Sequence, residues 1–289
     1  MKEITDIKDD EIRVIRHEVQ QTGKDGRRMW KYCVWGGAVL AFVVLGWWLL
    51  GQKNSNGAAD FRKDMSDGQA QEYRVKNAVD SSKQGYTEVK DSVVNDVALR
   101  IYRPLNAEPT LQVGALDRRD TSIVYATQAA DIRADNQKIV GAFVLKGEPL
   151  AWGKAKKGYC AIIDGQVTLG MAENTSLFEE ATQREGYFFR QYALVSEGHL
   201  IENRPKGKAI RRALCEWSGE IVVIESLTRE SFYNFAQALV DFGVEHAIYL
   251  VGTDVTYGWY VNEDNKRIGF GNPWEILPVN VNYIVWRRK

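Results

Sequence analysis

The chain has 289 residues, 45% of them hydrophobic, and its 38 Lys+Arg are balanced by 38 Asp+Glu. Zero formal charge without long single-sign runs excludes the electrostatic footprint of a nucleic-acid binder and an acidic or basic interaction tail. Cys33, Cys160 and Cys215 are too few and too scattered for a zinc site or a disulfide scaffold, leaving a Cys160–Cys215 bridge or two buried thiols as the open alternatives.

Residues 1–31 are polar and mixed in charge; Ile4, Ile7, Ile12, Val14, Ile15 and Val19 fit either a short amphipathic helix or a loosely ordered tail. Tyr32–Leu50 then runs nineteen residues without a charge, the length a helix needs to cross the hydrocarbon layer. Trp30, Tyr32 and Trp35 at one end and Trp47 and Trp48 at the other match interfacial aromatic belts. The long charged leader and the absence of a small-x-small cleavage site argue against a signal peptide. Arg16, Lys24, Arg27, Arg28 and Lys31 outnumber Lys53, Arg62 and Lys63 around the span, which predicts a cytoplasmic N-terminus and an extracytoplasmic remainder at the inner membrane. Residues 51–92 are polar and read as a stalk, and residues 93–289 as the globular domain.

Strands are expected over Val97–Tyr102, Thr110–Val113, Ser122–Ala126, Ile139–Leu145, Tyr159–Ile163, Val167–Leu169, Trp259–Val261 and Tyr283–Trp286. Turns are expected over Pro104–Pro109, Lys146–Pro149, Asp164-Gly165, Ser196–Gly198 and Gly269–Pro273, with a short helix over Leu177–Arg184. The sharpest patterning lies between Lys206 and Val261. Ile221–Ile224 reads as a buried strand; Thr228 supplies an N-cap hydroxyl. Phe232, Phe235, Ala236, Leu239 and Val240 follow at helical spacing, and Gly243 stands at the left-handed cap position. Ala247–Val251 is the next strand. A crossover helix between two apolar strands predicts that they are parallel neighbours, with polar chemistry at Gly252, Thr253 and Asp254 beyond the second.

The order Leu194-Val195-x-x-Gly198, Arg211-Arg212-Ala213-Leu214, a Thr228-Arg229-Glu230 helix start, and Ala247-Ile248-Tyr249-Leu250 before a glycine resembles the phosphodiester glycosidase domain family. The similarity is clearest over Tyr187–Trp259 and covers Val93 to the end. It implies a divergent, membrane-anchored bacterial member of Bacteroidetes type. It also implies an α+β fold with a mixed, curved β-sheet and a few packed helices, here preceded by one transmembrane helix. The implied activity is hydrolysis of a sugar from a phosphodiester. Arg211 matches the family arginine and Gly252 the first glycine after the strand. The family's acidic residue is replaced by Val251, its asparagine by Tyr249, and its following glycines by Thr253 and Asp254.

From the residues themselves, Arg190, Arg211 and Arg212 suit an anion because a guanidinium grips phosphate through two hydrogen bonds. One of Arg211 and Arg212 should point inward if this segment is a strand. Asp164, Glu173, Glu197 and Asp254 are the carboxylates near turns or strand ends, and Asp254 is the catalytic candidate. The expected ligand-binding set is Arg190, Arg211, Gly252 and Thr253. No phosphate-binding GxxxxGK[ST] or zinc HExxH is present, so neither cofactor nor metal is expected. The expected partners are the membrane and a sugar-phosphate or glycan ligand. A non-catalytic envelope module that binds a ligand or protein through the same groove is the alternative reading.

Overall fold

Short β-branched and aromatic runs separated by two-residue turns organise this chain. The computed structural model describes residues 74–80, 82–252, 257–272 and 277–288. They belong to one unit, Ala70–Lys289. They form seventeen strands and two short helices, and every strand pair is antiparallel. This overturns the α+β expectation: the domain is predominantly β. The expected transmembrane helix at Tyr32–Leu50 and the tail before it lie outside the described residues. Among the described residues no helix is long and apolar enough to cross a membrane.

The largest sheet has seven strands, in the order β1 (Tyr86–Val94), β2 (Val97–Leu105), β13 (Glu220–Ser226), β12 (Arg212–Trp217), β14 (Val244–Leu250), β10 (Ala193–Ser196) and β11 (His199–Leu200). A second sheet runs β16 (Arg267–Phe270), β15 (Gly258–Val261), β4 (Ile123–Gln128), β17 (Asn282–Arg288) and β3 (Ala107–Val113). The third runs β6 (Glu148–Trp152), β5 (Ala142–Leu145), β9 (Tyr187–Gln191), β7 (Gly158–Ile163) and β8 (Gln166–Met171). Strand β1 starts inside the segment read as stalk, and Val75 bridges to Val167, so described residues before Val93 belong to the folded sheets. The turn expected over Pro104–Pro109 contracts to Asn106, at φ 50°, between β2 and β3. Gly269 and Phe270, expected in a turn, belong to β16.

The strands of the large sheet are apolar on both faces. Leu214, Ile221, Val223, Ile248 and Leu250 face a core shared with the other two sheets, where Trp259, Trp286, Tyr283 and Phe189 are also buried. Ala213, Cys215, Val222, Ile224, Ala247 and Tyr249 face helix α2 (Phe232–Asp241). The smaller helix α1 (Leu177–Gln183) covers the outer face of the third sheet through Leu177 and Ala181. Burial on both faces explains why these strands read as continuous apolar runs rather than alternating ones. Cys160 and Cys215 are free, and each is buried in a different cluster.

Helix α2 begins one turn later than its sequence signal: Ser231, not Thr228, is the N-cap, accepting from the Asn234 amide at 3.0 Å. Thr228 instead donates to Glu230 Oε1 at 3.0 Å. Gly243 takes the left-handed cap, at φ 88°. The crossover through α2 does not join neighbours. Strand β12 inserts between β13 and β14 and is antiparallel to both. The cause is the Ser218-Gly219 hairpin, whose φ values of 52° and 74° are those of a tight two-residue turn that pairs β12 with β13 first.

Candidate functional site

The hairpin register sets the chemistry at the far end of the sheet. Trp217 pairs with Glu220 beside the turn, and counting back along the ladder places Arg212 opposite Glu225. Arg212 is 2% exposed and points into the core between the sheets. Its Nε donates to Glu225 Oε2 at 2.6 Å, its Nη2 bonds the same oxygen, and its Nη1 donates to Thr127 Oγ1 at 2.5 Å. The Tyr102 hydroxyl donates to Glu225 Oε1 at 3.3 Å, and Phe270 stacks under the guanidinium at 4.4 Å. Burial opposes the charge on Arg212, but Glu225, Tyr125 and Tyr102 outweigh it and hold the guanidinium above its ordinary value. Burial first, then the Glu225 charge, pushes the Tyr102 phenol up. Sequence reasoning missed Glu225, Tyr102 and Thr127; the legible signal for Glu225 was the Ser218-Gly219 turn.

Gly252 closes this end of the sheet. A Cβ there would lie 2.7 Å from the Arg212 Cβ and 2.8 Å from its amide nitrogen, so only glycine lets the chain leave β14 across the start of β12. Its role in the described structure is close packing. Thr253 and Asp254 lie outside the described residues.

Arg211 takes the opposite face, beside α2. It is 7% exposed, and it donates from Nε to the Glu230 carbonyl at 2.9 Å and from Nη2 to the Gly207 carbonyl at 2.8 Å. The guanidinium sits 4.3 Å from the Phe232 ring centre and 6.0 Å from that of Tyr249. Arg190, on β9, is 5% exposed and donates to the carbonyls of Ala172 at 2.7 Å, Glu173 at 3.0 Å and Lys156 at 3.3 Å. Burial pulls its guanidinium below the ordinary value, against a smaller opposing effect of Tyr159. The aromatic contacts of Arg211 extend through Phe232 to Tyr192. Phe232 packs edge-on against Tyr192 at 5.5 Å, and Lys156, whose carbonyl binds Arg190, places its Nζ 4.3 Å from the Tyr192 ring centre.

Neither Arg190 nor Arg211 has a carboxylate partner among the described residues, whereas Arg212 is neutralised by Glu225. Backbone carbonyls satisfy only part of each five-donor fork and leave its full charge uncompensated. Two buried, carboxylate-free guanidiniums beside aromatic rings can hold an anion. The carboxylates read near turns are paired or exposed: Asp164 pairs with Arg184, Glu173, whose carbonyl binds Arg190, turns its side chain to Lys157 at 2.8 Å, and Glu197 is exposed in the β10–β11 turn. Among the described residues no group of His, Cys, Asp and Glu could hold a metal ion.

The fold of the domain has similar solved structures. The catalytic domain of zebrafish N-acetylglucosamine-1-phosphodiester α-N-acetylglucosaminidase, auto-inhibited by its pro-peptide, superposes with a TM-score of 0.53 over 78% of this chain and 90% of that one, at 11% identity. The fold is similar to that of a phosphodiester glycosidase catalytic domain. A hypothetical protein from Synechocystis also matches, with a TM-score of 0.51 and 15% identity over 70% of this chain and 62% of that one. No family model and no curated protein matches the sequence.

At the turn end of the same sheet, Glu216 is 3% exposed and sits directly across from His246. Burial, then the nearby Glu245, raises its carboxyl to about 7. A carboxyl raised on folding binds its proton more tightly in the native state, so stability rises as pH falls from above 7 towards the unfolded value near 4.5. Urea unfolding at pH 8 and pH 5 should therefore show wild type gaining about 2 kcal/mol relative to Glu216→Gln on acidification. Parallel curves for the two proteins would exclude this role.

Proposed function

We propose that this domain binds a sugar phosphodiester and acts on it as a glycosidase-like hydrolase. The observation carrying the reading is the pair of buried guanidiniums, Arg190 and Arg211, that have no carboxylate among the described residues on a fold similar to a phosphodiester glycosidase catalytic domain. Arg211 and Arg190 take the phosphate oxygens, the Tyr192–Phe232–Tyr249 wall takes the apolar face of the sugar, and Asp254, two residues past Gly252, supplies the acidic group. Thr253 lies between them in the chain and adds a hydroxyl. The uncharged run Tyr32–Leu50 and its flanking basic residues support a membrane-attached, extracytoplasmic placement.

A second reading is a non-catalytic binding module on the same fold. It is favoured by the lining, in which the described residues are the arginines, the aromatics and a Lys156 amine already paired with Asp131. Glu225 has both carboxylate oxygens engaged, by Arg212 and Tyr102, and Val251 stands where the resemblance places an acidic residue. The two readings separate in one assay of the full chain with the methyl phosphodiester of N-acetylglucosamine 1-phosphate. Hydrolysis by wild type that drops by about a hundredfold in Asp254→Asn, with binding retained, supports the hydrolase. Binding without turnover in either protein supports the module, and absence of both defeats the proposal.

A further inference from the structure

The α2-facing side of the large sheet is only partly covered. Helix α2 packs over β10, β11 and β14, and beyond its last turn the surface of β1 and β2 opens into a groove. The first lobe, about 420 Å³, is lined by Glu88, Lys90, Ile101, Arg103, Trp217 and Glu220. A second lobe of about 720 Å³ adjoins it, sharing Arg103 and Glu220 and adding Tyr86, Asn77 and Asn106. The Arg103–Glu220 ion pair, 2.5 Å between Nε and Oε2, forms the saddle between the lobes.

We infer that this groove is an oligosaccharide-binding subsite, separate from the anion site, for a neutral glycan of two or more rings. Each end carries an aromatic ring, Trp217 in one lobe and Tyr86 in the other. Trp217 is fixed in place: its ring stacks on Phe242 at 4.9 Å and 20°, and its Nε1 donates to the Phe242 carbonyl at 3.3 Å. A rigid aromatic beside the apolar floor of Ile101 suits the C–H face of a pyranose, at little entropic cost to the protein. The rim offers planar donors and acceptors together, which is what vicinal hydroxyls need.

Charge decides the ligand class. Both cations of the first lobe are matched to carboxylates: Arg103 to Glu220 and, at 3.6 Å, to Glu88, and Lys90 to Glu88 at 3.1 Å. Asp91, which also lines that lobe, is held by Arg100 through two hydrogen bonds of 2.7 Å, so the lobe presents no cation free to meet an anion. An anion is therefore disfavoured here, in contrast to the carboxylate-free Arg190 and Arg211. The groove also lies apart from that site. Trp217–Glu220 and Arg212–Glu225 are opposite ends of one hairpin ladder, five residue steps or roughly 17 Å apart.

The test is tryptophan fluorescence of the full chain titrated with chitotriose, cellotriose and maltotriose. At least one should give a saturable shift below about 10 mM, and Trp217→Ala and Glu220→Gln should each weaken it by about tenfold. Arg211→Met, which removes the anion site, should leave that isotherm unchanged. Far-UV circular dichroism establishes that each variant is folded, and the conservative Glu220→Gln change carries the test should Trp217→Ala unfold. No saturable shift with any of the three, or binding indifferent to Glu220→Gln, would overturn the assignment; loss of saccharide binding in Arg211→Met would return it to the anion site.

Discussion

Arg212→Met should lower the unfolding free energy by about 3–5 kcal/mol, with a fall in Tm on the order of 10 °C. The side chain is 2% exposed and makes two contacts to Glu225 and one to Thr127. Its removal leaves Glu225, 8% exposed, with only the Tyr102 hydroxyl at 3.3 Å. A buried carboxylate that loses its counter-charge costs far more than the intact pair contributes, because desolvation is no longer offset. The double variant Arg212→Met/Glu225→Met should therefore recover most of the loss, and urea unfolding of the three proteins measures it. A double variant no more stable than the single one would mean that the ion pair is not what organises this end of the sheet.

Arg211→Met should behave in the opposite way. Its loss should cost about 1–3 kcal/mol in stability, since two hydrogen bonds to carbonyls are lost but an uncompensated buried charge goes with them. Binding of a sugar phosphodiester should fall by about a hundredfold, the worth of charge-assisted hydrogen bonds to an anion in a desolvated site. Arg190→Met should show the same pattern, because its three acceptors are also backbone carbonyls. The contrast between neighbours is the informative result: the loss at Arg212 should appear in stability, through Glu225, and the loss at Arg211 in binding. Arg211→Lys should not restore binding, since a lysine cannot hold the Gly207 and Glu230 carbonyls and a phosphate with one rigid fork.

Much of this arrangement was legible in the chain. The strands at Val97, Ser122, Tyr159 and Tyr283, the Asp164-Gly165 and Glu197-Gly198 turns, and the Gly243 cap all follow from local pattern, because a two-residue turn or a helix end is decided by the residues in it. The inward side chain expected of the Arg211-Arg212 pair is Arg212, while Arg211 is buried on the other face. What local pattern could not yield was strand order. Apolar strands around a helix read as parallel neighbours, and nothing within Ile221–Val251 announces that β12 lies between them. The Ser218-Gly219 turn does announce it, and counting from that turn gives Glu225 as the partner of Arg212. The helix start was displaced because Thr228 and Ser231 both satisfy the cap pattern, and Ser231 is the one whose oxygen meets an amide. Residues 86–92 lack apolar periodicity because they belong to β1, an edge strand in which few side chains are fully buried.

The proposed role of the unneutralised Arg211 charge is to hold an anionic ligand. Calorimetric titration of the full chain with the sugar phosphodiester, beside the neutral methyl glycoside of the same sugar and repeated on Arg211→Met, tests it most directly. A saturable isotherm for the phosphodiester that weakens with added salt and by about a hundredfold in the variant is the predicted result. An isotherm identical in wild type and Arg211→Met, or no heat with the phosphodiester at all, would contradict it.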